Sequence, residues 1–263
     1  MRTIFLIWIC GTLAAPLAAQ WLPADEYEYE YAATDWLVDS LDTARDADYM
    51  RPEEREMIYE MNRLRSDPQR YIQYLIPYLQ EARYDLKTQG KGTMHYSLTT
   101  VRWTDAQGNS TVRVDTNWHD RFEEAVRAVE SLIETLEVMD PLPILRPDPG
   151  IYAAARHHAD DQNQHGWRLG HRGSDGSGPN DRITRFAPNM RCGNENIGGK
   201  GLGHPDKKPT PRTVVICLLI DTGIPGYGHR RNTLNPNWTH FAPCYGGYAR
   251  EMHMWLQEYG RAK

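Results

Sequence analysis

Cysteine is scarce in this chain. Only four cysteines occur among 263 residues, at positions 10, 192, 217 and 244. A fold that depends on several disulfides needs a higher density, so that class of protein is excluded. If residue 10 is lost with a leader segment, three thiols remain, and they allow one disulfide at most in three alternative pairings. The sequence does not choose among the pairings, so a packed core must supply most of the stability.

The sequence also lacks the signals of several binding classes. It has no zinc-finger spacing of cysteine and histidine, and no Gly-Lys-Ser/Thr loop that would cradle phosphates. The net charge of -5 provides no general attraction to nucleic acid or to acidic lipid. The composition, 40% hydrophobic and 25% charged, is typical of a globular chain. We therefore expect a folded protein without a nucleic-acid partner.

Residues 1–19 have the pattern of a secretory signal peptide. Arg2 provides a positive start, an apolar core of about a dozen residues follows, and small residues stand at Ala18 and Ala19. This core is shorter than the roughly 20 residues that span a bilayer. The pattern predicts a protein exported to the periplasm or the extracellular space, with no transmembrane segment in the mature chain. The alternative is a buried N-terminal helix.

The rest of the chain divides into an acidic, tyrosine-rich extension at 20–50 and a domain at 51–263. We expect the extension to be partly ordered at best. Apolar residues at helical spacing predict a helix from about residue 51 and a second helix from Pro68. Between residues 93 and 118, two β-prone runs flank Thr-Asp-Ala-Gln-Gly-Asn, which indicates a hairpin. A clearly amphipathic helix follows the hairpin.

Capping residues define the helices of the C-terminal half. Asp148 precedes a helix that has Pro149 at its first position, and Thr210 precedes an apolar helix. Gly-Pro-Asn-Asp-Arg-Ile-Thr-Arg-Phe predicts a short helix between them. Two adjacent β-prone segments end the chain, and an antiparallel pair is the simplest arrangement for them. The C-terminal half is therefore predicted to place helices around a small antiparallel sheet.

Four polar pieces of this half contain the residue types of a metal site. They are His171 in a glycine-rich loop, Glu195 in Gly-Asn-Glu-Asn-Ile-Gly, Asp221 after an apolar helix, and His229 in Gly-Tyr-Gly-His-Arg-Arg-Asn. The two histidines are far apart in the sequence, so no short ligand motif joins them. Spacing alone does not predict that the four residues converge.

Taken in order, these pieces resemble the CAP superfamily, which includes cysteine-rich secretory proteins, antigen 5 and plant pathogenesis-related proteins. The bacterial SCP-like branch is the most similar. The motifs that carry the resemblance are Glu-Met-Asn-Arg-Leu-Arg-Ser-Asp-Pro, Ala-Ala-Ala-Arg-His-His-Ala, Gly-His-Arg-Gly-Ser-Asp-Gly, Gly-Asn-Glu-Asn-Ile-Gly and Gly-His-Arg-Arg-Asn-Thr-Leu-Asn-Pro. The similarity covers roughly residues 52–80 and 140–258, so residues at about 83–139 form an insertion. Asn194 departs from the family pattern, because it separates the glycine from the glutamate.

The resemblance implies an α+β fold, an α-β-α sandwich with a small antiparallel sheet between helical layers. The insertion adds a β-hairpin and a helix. In the family, two histidines and two acidic residues line a cleft. Carried over residue by residue, the histidines are His171 and His229, and the first acid is Glu195. Asp221 stands where the family has a glutamate, and its side chain is one methylene shorter.

The chemistry of such a tetrad is that of an open metal site. A neutral imidazole binds a divalent cation through one nitrogen and needs an acceptor for its other N–H, which Glu195 and Asp221 could provide. His171 and His229 are the predicted metal ligands, with zinc as the expected ion, and the other coordination positions stay open. We expect Gly228 to allow close backbone approach beside His229. Arg230 and Arg231 are expected to bond the loop itself.

Two rival sites have weaker signals. His157, Asp161 and His165 lie four residues apart along one helix, so one helix face could present all three to a metal. Ser174, close to His171 in the sequence, could be part of a Ser-His-acid arrangement, although no nucleophile elbow is present. His158 shares its helix face with small apolar residues, which favours a hydrogen-bonded core histidine.

These observations predict a secreted CAP-domain protein whose cleft binds a divalent cation, without catalysis. The family includes lipid-binding members, so a small or lipid-like ligand is a further expectation. The first alternative is a metal-dependent hydrolase, a peptidase or esterase, in which Glu195 is the general base. The second is a cell-envelope interaction protein that uses the extension and the hairpin as its contact surface.

Overall fold

The computed structural model describes residues 36, 38–92, 94–104, 110–165, 169–199, 208–249 and 252–263. The predicted signal peptide and most of the extension lie outside these residues. The helices are α1 (Val38–Leu41), α2 (Pro52–Ser66), α3 (Pro68–Tyr71), α4 (Ile76–Gln89), α5 (Arg121–Glu137), α6 (Pro149–Gln164), α7 (Pro179–Phe186), α8 (Pro211–Ile220) and α9 (Gly228–Thr233). The strands are β1 (Met94–Thr104), β2 (Ser110–Asp120), β3 (Met190–Gly198), β4 (His240–Ala249) and β5 (Met252–Ala262).

Capping side chains start the helices where the sequence predicted. The Asp148 carboxylate accepts the backbone N–H of Ile151 at 2.9 Å, which begins α6. Thr210 accepts the N–H of Thr213 at 3.2 Å, which begins α8. The predicted apolar stripe of α2 is fully buried and forms part of the main core; its members are Met57, Ile58, Met61 and Leu64. The helix predicted from residue 51 and its inward face are therefore confirmed. The helix predicted from Pro68 is interrupted after Tyr71, where a 3₁₀ turn at Ile72–Tyr74 precedes α4.

A three-stranded antiparallel sheet has the order β3-β5-β4, with β3 at one edge. Helices α6 and α7 contact the sheet at Glu195, whereas α9 and α2 contact it at Asn196 and its partner Gln257, whose side chains point to the opposite face. The predicted pairing of the two final segments is confirmed, and so is the α+β class with helices on both faces. The sequence analysis did not predict β3, which pairs with β5 so that Glu195 lies opposite Glu258.

The predicted hairpin and amphipathic helix are both present. Strands β1 and β2 pair antiparallel, with Tyr96 opposite Trp118. The Asp120 carboxylate accepts the backbone N–H groups of Phe122 and Glu123, which begins α5. Helix α5 packs against α4 and contacts α8, so this segment lies beside the apolar helix that leads to Asp221.

Part of the N-terminal extension belongs to the core. Its described residues turn around α1 and bury Trp36, Leu41, Ala44, Ala47 and Met50. None of the three described cysteines is in a disulfide, so the core is held without a covalent cross-link among them. Among the described residues, none of the helices combines the length and the apolar character needed to cross a membrane.

Candidate functional site

His171 lies in the loop after α6 and contacts a buried carboxylate. Its Nδ1 is 2.8 Å from Oε1 of Glu195, which is 3% exposed on β3. A carboxylate accepts hydrogen bonds, so Nδ1 carries the hydrogen, and Nε2 is the nitrogen that remains for a ligand. About half of the His171 side chain is exposed. The sheet therefore holds one nitrogen of the ring while the other can reach a ligand.

Arg182 of α7 fixes both Glu195 and the histidine loop. Its fully buried guanidinium donates to Oε2 of Glu195 at 3.0 Å, to the carbonyl of His171 at 3.1 Å and to that of Ser177 at 3.0 Å. Burial acts to raise the pKa of Glu195, but the His171 hydrogen bond and the charges of His158 and Arg182 hold that pKa below its usual value. Glu195 is therefore an ionised, fully engaged acceptor.

Glu258 is a second buried acid that sequence reasoning missed. It is fully buried on β5 opposite Glu195, and its Oε1 is 3.9 Å from the Arg182 guanidinium. Burial, followed by the neighbouring charge of Glu195, raises the pKa of Glu258 well above its usual range. Glu258 therefore holds its proton near neutral pH. In the sequence, Glu258 is a single acidic residue within the last β-prone segment. That pattern does not indicate that it faces the Glu195 carboxylate.

His158 is the core histidine that its helix position predicted. The ring is fully buried, and its Nε2 lies 2.8 Å from the carbonyl of Gly170. Burial lowers the pKa of His158 below its usual value. Gly170 directly precedes His171, so this bond also fastens the histidine loop.

His229 is held by Asp221 in two ways. Nδ1 of His229 is 2.7 Å from Oδ1 of Asp221, and the backbone N–H of His229 donates to Oδ2 at 2.9 Å. His229 is the second residue of α9, where backbone N–H groups lack helical partners. Asp221 ends α8 in the left-handed conformation, with φ 58°. An aspartate reaches His229 because the turn between the two helices brings the residues together.

Arg230 ties this turn to the neighbouring helices. The buried guanidinium donates to the carbonyls of Leu219 at 2.7 Å and Ile220 at 2.9 Å, at the end of α8. It also donates to α5, at the carbonyl of Ala128 and the hydroxyl of Ser131. Arg230 was expected to bond its own loop, but these hydrogen bonds run to helices α8 and α5 instead.

The expectation for Gly228 was wrong. Outside its chain neighbours and the backbone of its own helix, no atom lies within 4 Å of the position that a Cβ on Gly228 would occupy. The residues with positive φ near His229 are instead Gly226, with φ 72°, and Tyr227, with φ 50°. The tight part of the turn therefore precedes Gly228, and the segment expected to be a loop begins the short helix α9.

An open cavity of about 570 Å³ adjoins His229. Helices α4, α5 and α8 and the end of β3 line it, and Asp221 and His229 belong to its wall. Leu169 lines the cavity as well, whereas His171 does not. Strand β3 links the two histidines, because Glu195 contacts His171 and the next side chain, Asn196, donates to the carbonyl of His229 at 3.3 Å.

Both candidate ligands share one geometry. Each ring has its Nδ1 against a buried carboxylate, and neither Nε2 has a hydrogen-bond partner among the described residues. Carboxylate–imidazole pairs of this kind orient histidines that bind metal ions. The described part of the chain contains no group of three or more His, Cys, Asp or Glu side chains that could hold a metal ion. A closed structural metal site, with several protein ligands around one ion, is therefore absent from the described part of the chain.

The rival sites have other arrangements. The His157 ring lies 5.2 Å from that of Phe186, whereas Nδ1 of His165 lies 3.1 Å from Oδ1 of Asp161. Asp161 also accepts the backbone N–H of Ser174 at 2.8 Å and the Ser174 hydroxyl. The three residues of the predicted row therefore do not face one ion, and the Ser174 hydroxyl bonds to an acid, not to His171.

Two solved structures are similar to parts of this chain. An outer surface protein from Borrelia burgdorferi is 16% identical with a TM-score of 0.38, over 54% of this chain and 94% of that protein. An extracellular protein containing an SCP domain from Bacillus anthracis is 16% identical with a TM-score of 0.35, over 57% of this chain and 46% of that protein. No protein-family model and no curated protein sequence matches the chain. The Bacillus anthracis protein contains the domain that the motifs of this chain resemble.

Proposed function

We propose that the chain is an exported CAP-like binding protein whose cleft takes up a divalent cation through Nε2 of His171 and Nε2 of His229. The observation that carries the proposal is the pair of oriented imidazoles, each with its Nδ1 on a buried carboxylate and its Nε2 without a partner among the described residues. Zinc suits imidazole donors, and a bound ion would keep several positions open to water or to a ligand. We expect an affinity well below that of closed structural zinc sites.

Glu195 and Asp221 are positioning residues in this proposal. Their negative charges offset that of the cation, and their hydrogen bonds keep each ring in the tautomer that leaves Nε2 available. The rigid support of Glu195 by Arg182 limits how far His171 can turn. Glu195 is on strand β3, so the hydrogen bond that orients His171 comes from the sheet and does not depend on the exposed part of the loop.

The geometry does not favour the hydrolase alternative. Glu195 is the residue expected to be the general base, yet it is 3% exposed and both of its oxygens are engaged, one by His171 and one by Arg182. A general base needs an oxygen within reach of the water that it activates. We therefore propose binding without hydrolysis. The cell-envelope alternative stays a prediction, because most of the extension and the residues that join the two hairpin strands lie outside the described residues.

Zinc titration of the mature chain, residues 20–263, tests the cation proposal. Isothermal titration calorimetry should find one zinc site in the wild type and none after the double substitution His171→Ala, His229→Ala. His157→Ala is the matched control, because that exposed ring packs on Phe186 away from the pair. Unchanged zinc binding by the double variant would contradict the proposal. An equal loss of zinc binding in the His157→Ala control would show that the measured heat comes from zinc bound at surface histidines.

The cavity beside His229 supports the second part of the proposal, a small apolar ligand. Its volume of about 570 Å³ is that of a small-molecule site, and most of its lining is apolar. A fluorescent apolar probe, N-phenyl-1-naphthylamine, should show enhanced emission with the folded protein and lose it on unfolding in urea. Emission that is equal in both states would contradict the ligand proposal.

A further inference from the structure

The turn that leads to His229 contains two backbone conformations that residues other than glycine rarely adopt. Asp221 has φ 58° and Tyr227 has φ 50°, and over the residues that the structure describes no other non-glycine residue has a positive φ. Asp221 holds the His229 ring, and Tyr227 is the residue at which the chain enters α9. A bulky residue keeps such a conformation only where the surrounding contacts impose it. The conformation of Tyr227 therefore depends on its neighbours.

The inserted helix α5 provides a fixed partner for Tyr227. The Tyr227 hydroxyl donates to Oε1 of Glu124 at 3.2 Å, and Oε2 of the same carboxylate accepts from Nε of Arg127 at 3.0 Å. Glu124 is 8% exposed, so the carboxylate is largely removed from water. A hydrogen bond to an ionised acceptor in such surroundings is stronger than the same bond in bulk water. The side chain of Tyr227 is therefore anchored on α5.

The insertion also contacts the rest of the turn. The guanidinium carbon of Arg230 lies 3.9 Å from the centre of the Tyr227 ring, and the same guanidinium donates to the carbonyl of Ala128 on α5. Near the start of the turn, Nε2 of His119 on β2 lies 3.4 Å from the position that a Cβ on Gly223 would occupy. The inserted strand and helix thus touch the turn both soon after α8 ends and where α9 begins.

We propose that Glu124 is a positioning residue for His229. Glu124 holds the Tyr227 hydroxyl, and the Tyr227 backbone sets the direction in which α9 begins, so that Nδ1 and the backbone N–H of His229 both meet Asp221. The inserted segment, which lies outside the motifs of the resemblance, thereby orients one of the two proposed cation ligands. The proposal deepens the proposed function and rests on it for the role of the cation, but the orientation of the ring can be measured without zinc.

NMR of the zinc-free mature chain measures this orientation. Long-range proton–nitrogen spectra at mildly alkaline pH, where imidazole is neutral, distinguish a ring with its hydrogen on Nδ1 from one with its hydrogen on Nε2. Comparison with His229→Gln assigns the signals. The wild type should show mainly the Nδ1–H form, because Asp221 accepts from Nδ1. Its share should fall in Glu124→Ala and in Tyr227→Phe, because a displaced ring no longer meets Asp221 in line.

Zinc affinity by calorimetry is the second measurement. Each of the substitutions Glu124→Ala and Tyr227→Phe should weaken zinc binding by about 3- to 10-fold, less than the loss of a residue that contacts the histidine directly. Glu130→Ala is the matched control, because Glu130 lies on the same helix and its partly exposed carboxylate accepts from Arg83 at 2.7 Å, away from the turn. Glu130→Ala should leave both the zinc affinity and the His229 signals unchanged.

Two further variants distinguish positioning from a general loss of stability. Glu124→Gln keeps an oxygen that can accept from Tyr227, so it should retain more of the Nδ1–H form than Glu124→Ala does. The double variant Glu124→Ala, Tyr227→Phe should change the His229 signals no more than the stronger single variant, because both substitutions remove the same hydrogen bond. Tyr227→Phe keeps the ring beside Arg230, so it decides the question if Glu124→Ala does not fold.

The outcomes separate this proposal from the cation proposal. Unchanged His229 signals in a folded Tyr227→Phe variant overturn the positioning role, and so does an equal change in Glu130→Ala or a wild type without the Nδ1–H form. If the variants lose the Nδ1–H form but the wild type binds no zinc, the positioning role stands and the cation proposal fails. If the wild type binds zinc at the two histidines and the variants keep the wild-type signals, the reverse holds.

Discussion

Replacement of Arg230 by alanine should be among the most destabilising single substitutions near the site. Arg230 is 5% exposed, and its guanidinium donates to the carbonyls of Leu219, Ile220 and Ala128 and to the Ser131 hydroxyl. The two α8 carbonyls stand at a helix end, where intrahelical partners are missing. A hydrogen bond from a charged donor contributes about 1.5–3 kcal/mol, and the bonds of one side chain do not add fully. We therefore expect a loss of about 3–5 kcal/mol in the free energy of unfolding.

Urea unfolding of the mature chain, followed by tryptophan fluorescence, measures this loss. Arg231→Ala is the matched control, because Arg231 is the exposed neighbour, and we expect a change within about 0.5 kcal/mol. Arg230→Lys keeps the positive charge but not the planar set of N–H donors, so its loss in the free energy of unfolding should be intermediate. If Arg230→Ala destabilises the protein no more than Arg231→Ala does, the view that Arg230 holds the α5, α8 and α9 junction is wrong.

Three further predictions address the site and the core. Asp221→Asn tolerates the left-handed backbone but loses the carboxylate, so zinc affinity by calorimetry should fall about 10- to 100-fold, and an unchanged affinity would contradict the positioning role. The folded protein keeps a proton on Glu258 that the unfolded chain releases above a pKa of about 4.3, so this group stabilises the fold below that pH and its contribution falls as pH rises. Urea unfolding from pH 5 to 8 should therefore show that the free energy of unfolding falls less steeply with pH in Glu258→Gln than in the wild type. Parallel curves would contradict this role of Glu258. A reducing agent should leave the melting temperature of the mature chain unchanged, because its three cysteines are not paired; a clear decrease would reveal a disulfide.

The elements with a strong local signal were predictable from the sequence. Asp148 and Thr210 are followed by helices because their side chains accept the early backbone N–H groups that a helix leaves free. The hairpin was predictable because β-prone residues flank a turn-forming segment. In such cases the interactions that define the element lie within a few residues of one another.

Elements that depend on distant partners were not predictable in the same way. The segment around Glu195 is rich in glycine and asparagine, and it becomes β3 because β5 supplies its hydrogen-bond partners. The same pairing places Glu258 against Glu195, a contact that no local pattern indicates. Arg182 sits in a short amphipathic helix, and nothing around it signals that its buried guanidinium joins Glu195 to the His171 loop. The resemblance grouped the two histidines with the two acids, but only the structure shows that Glu195 contacts His171 and that Asp221 contacts His229.

Anomalous diffraction from crystals of the mature chain soaked in zinc tests the central claim most directly. The account predicts one strong zinc peak bonded at about 2.0–2.1 Å to Nε2 of both His171 and His229, with oxygen ligands in the other positions. Zinc bound at other side chains, or at only one of these two rings, would contradict the account.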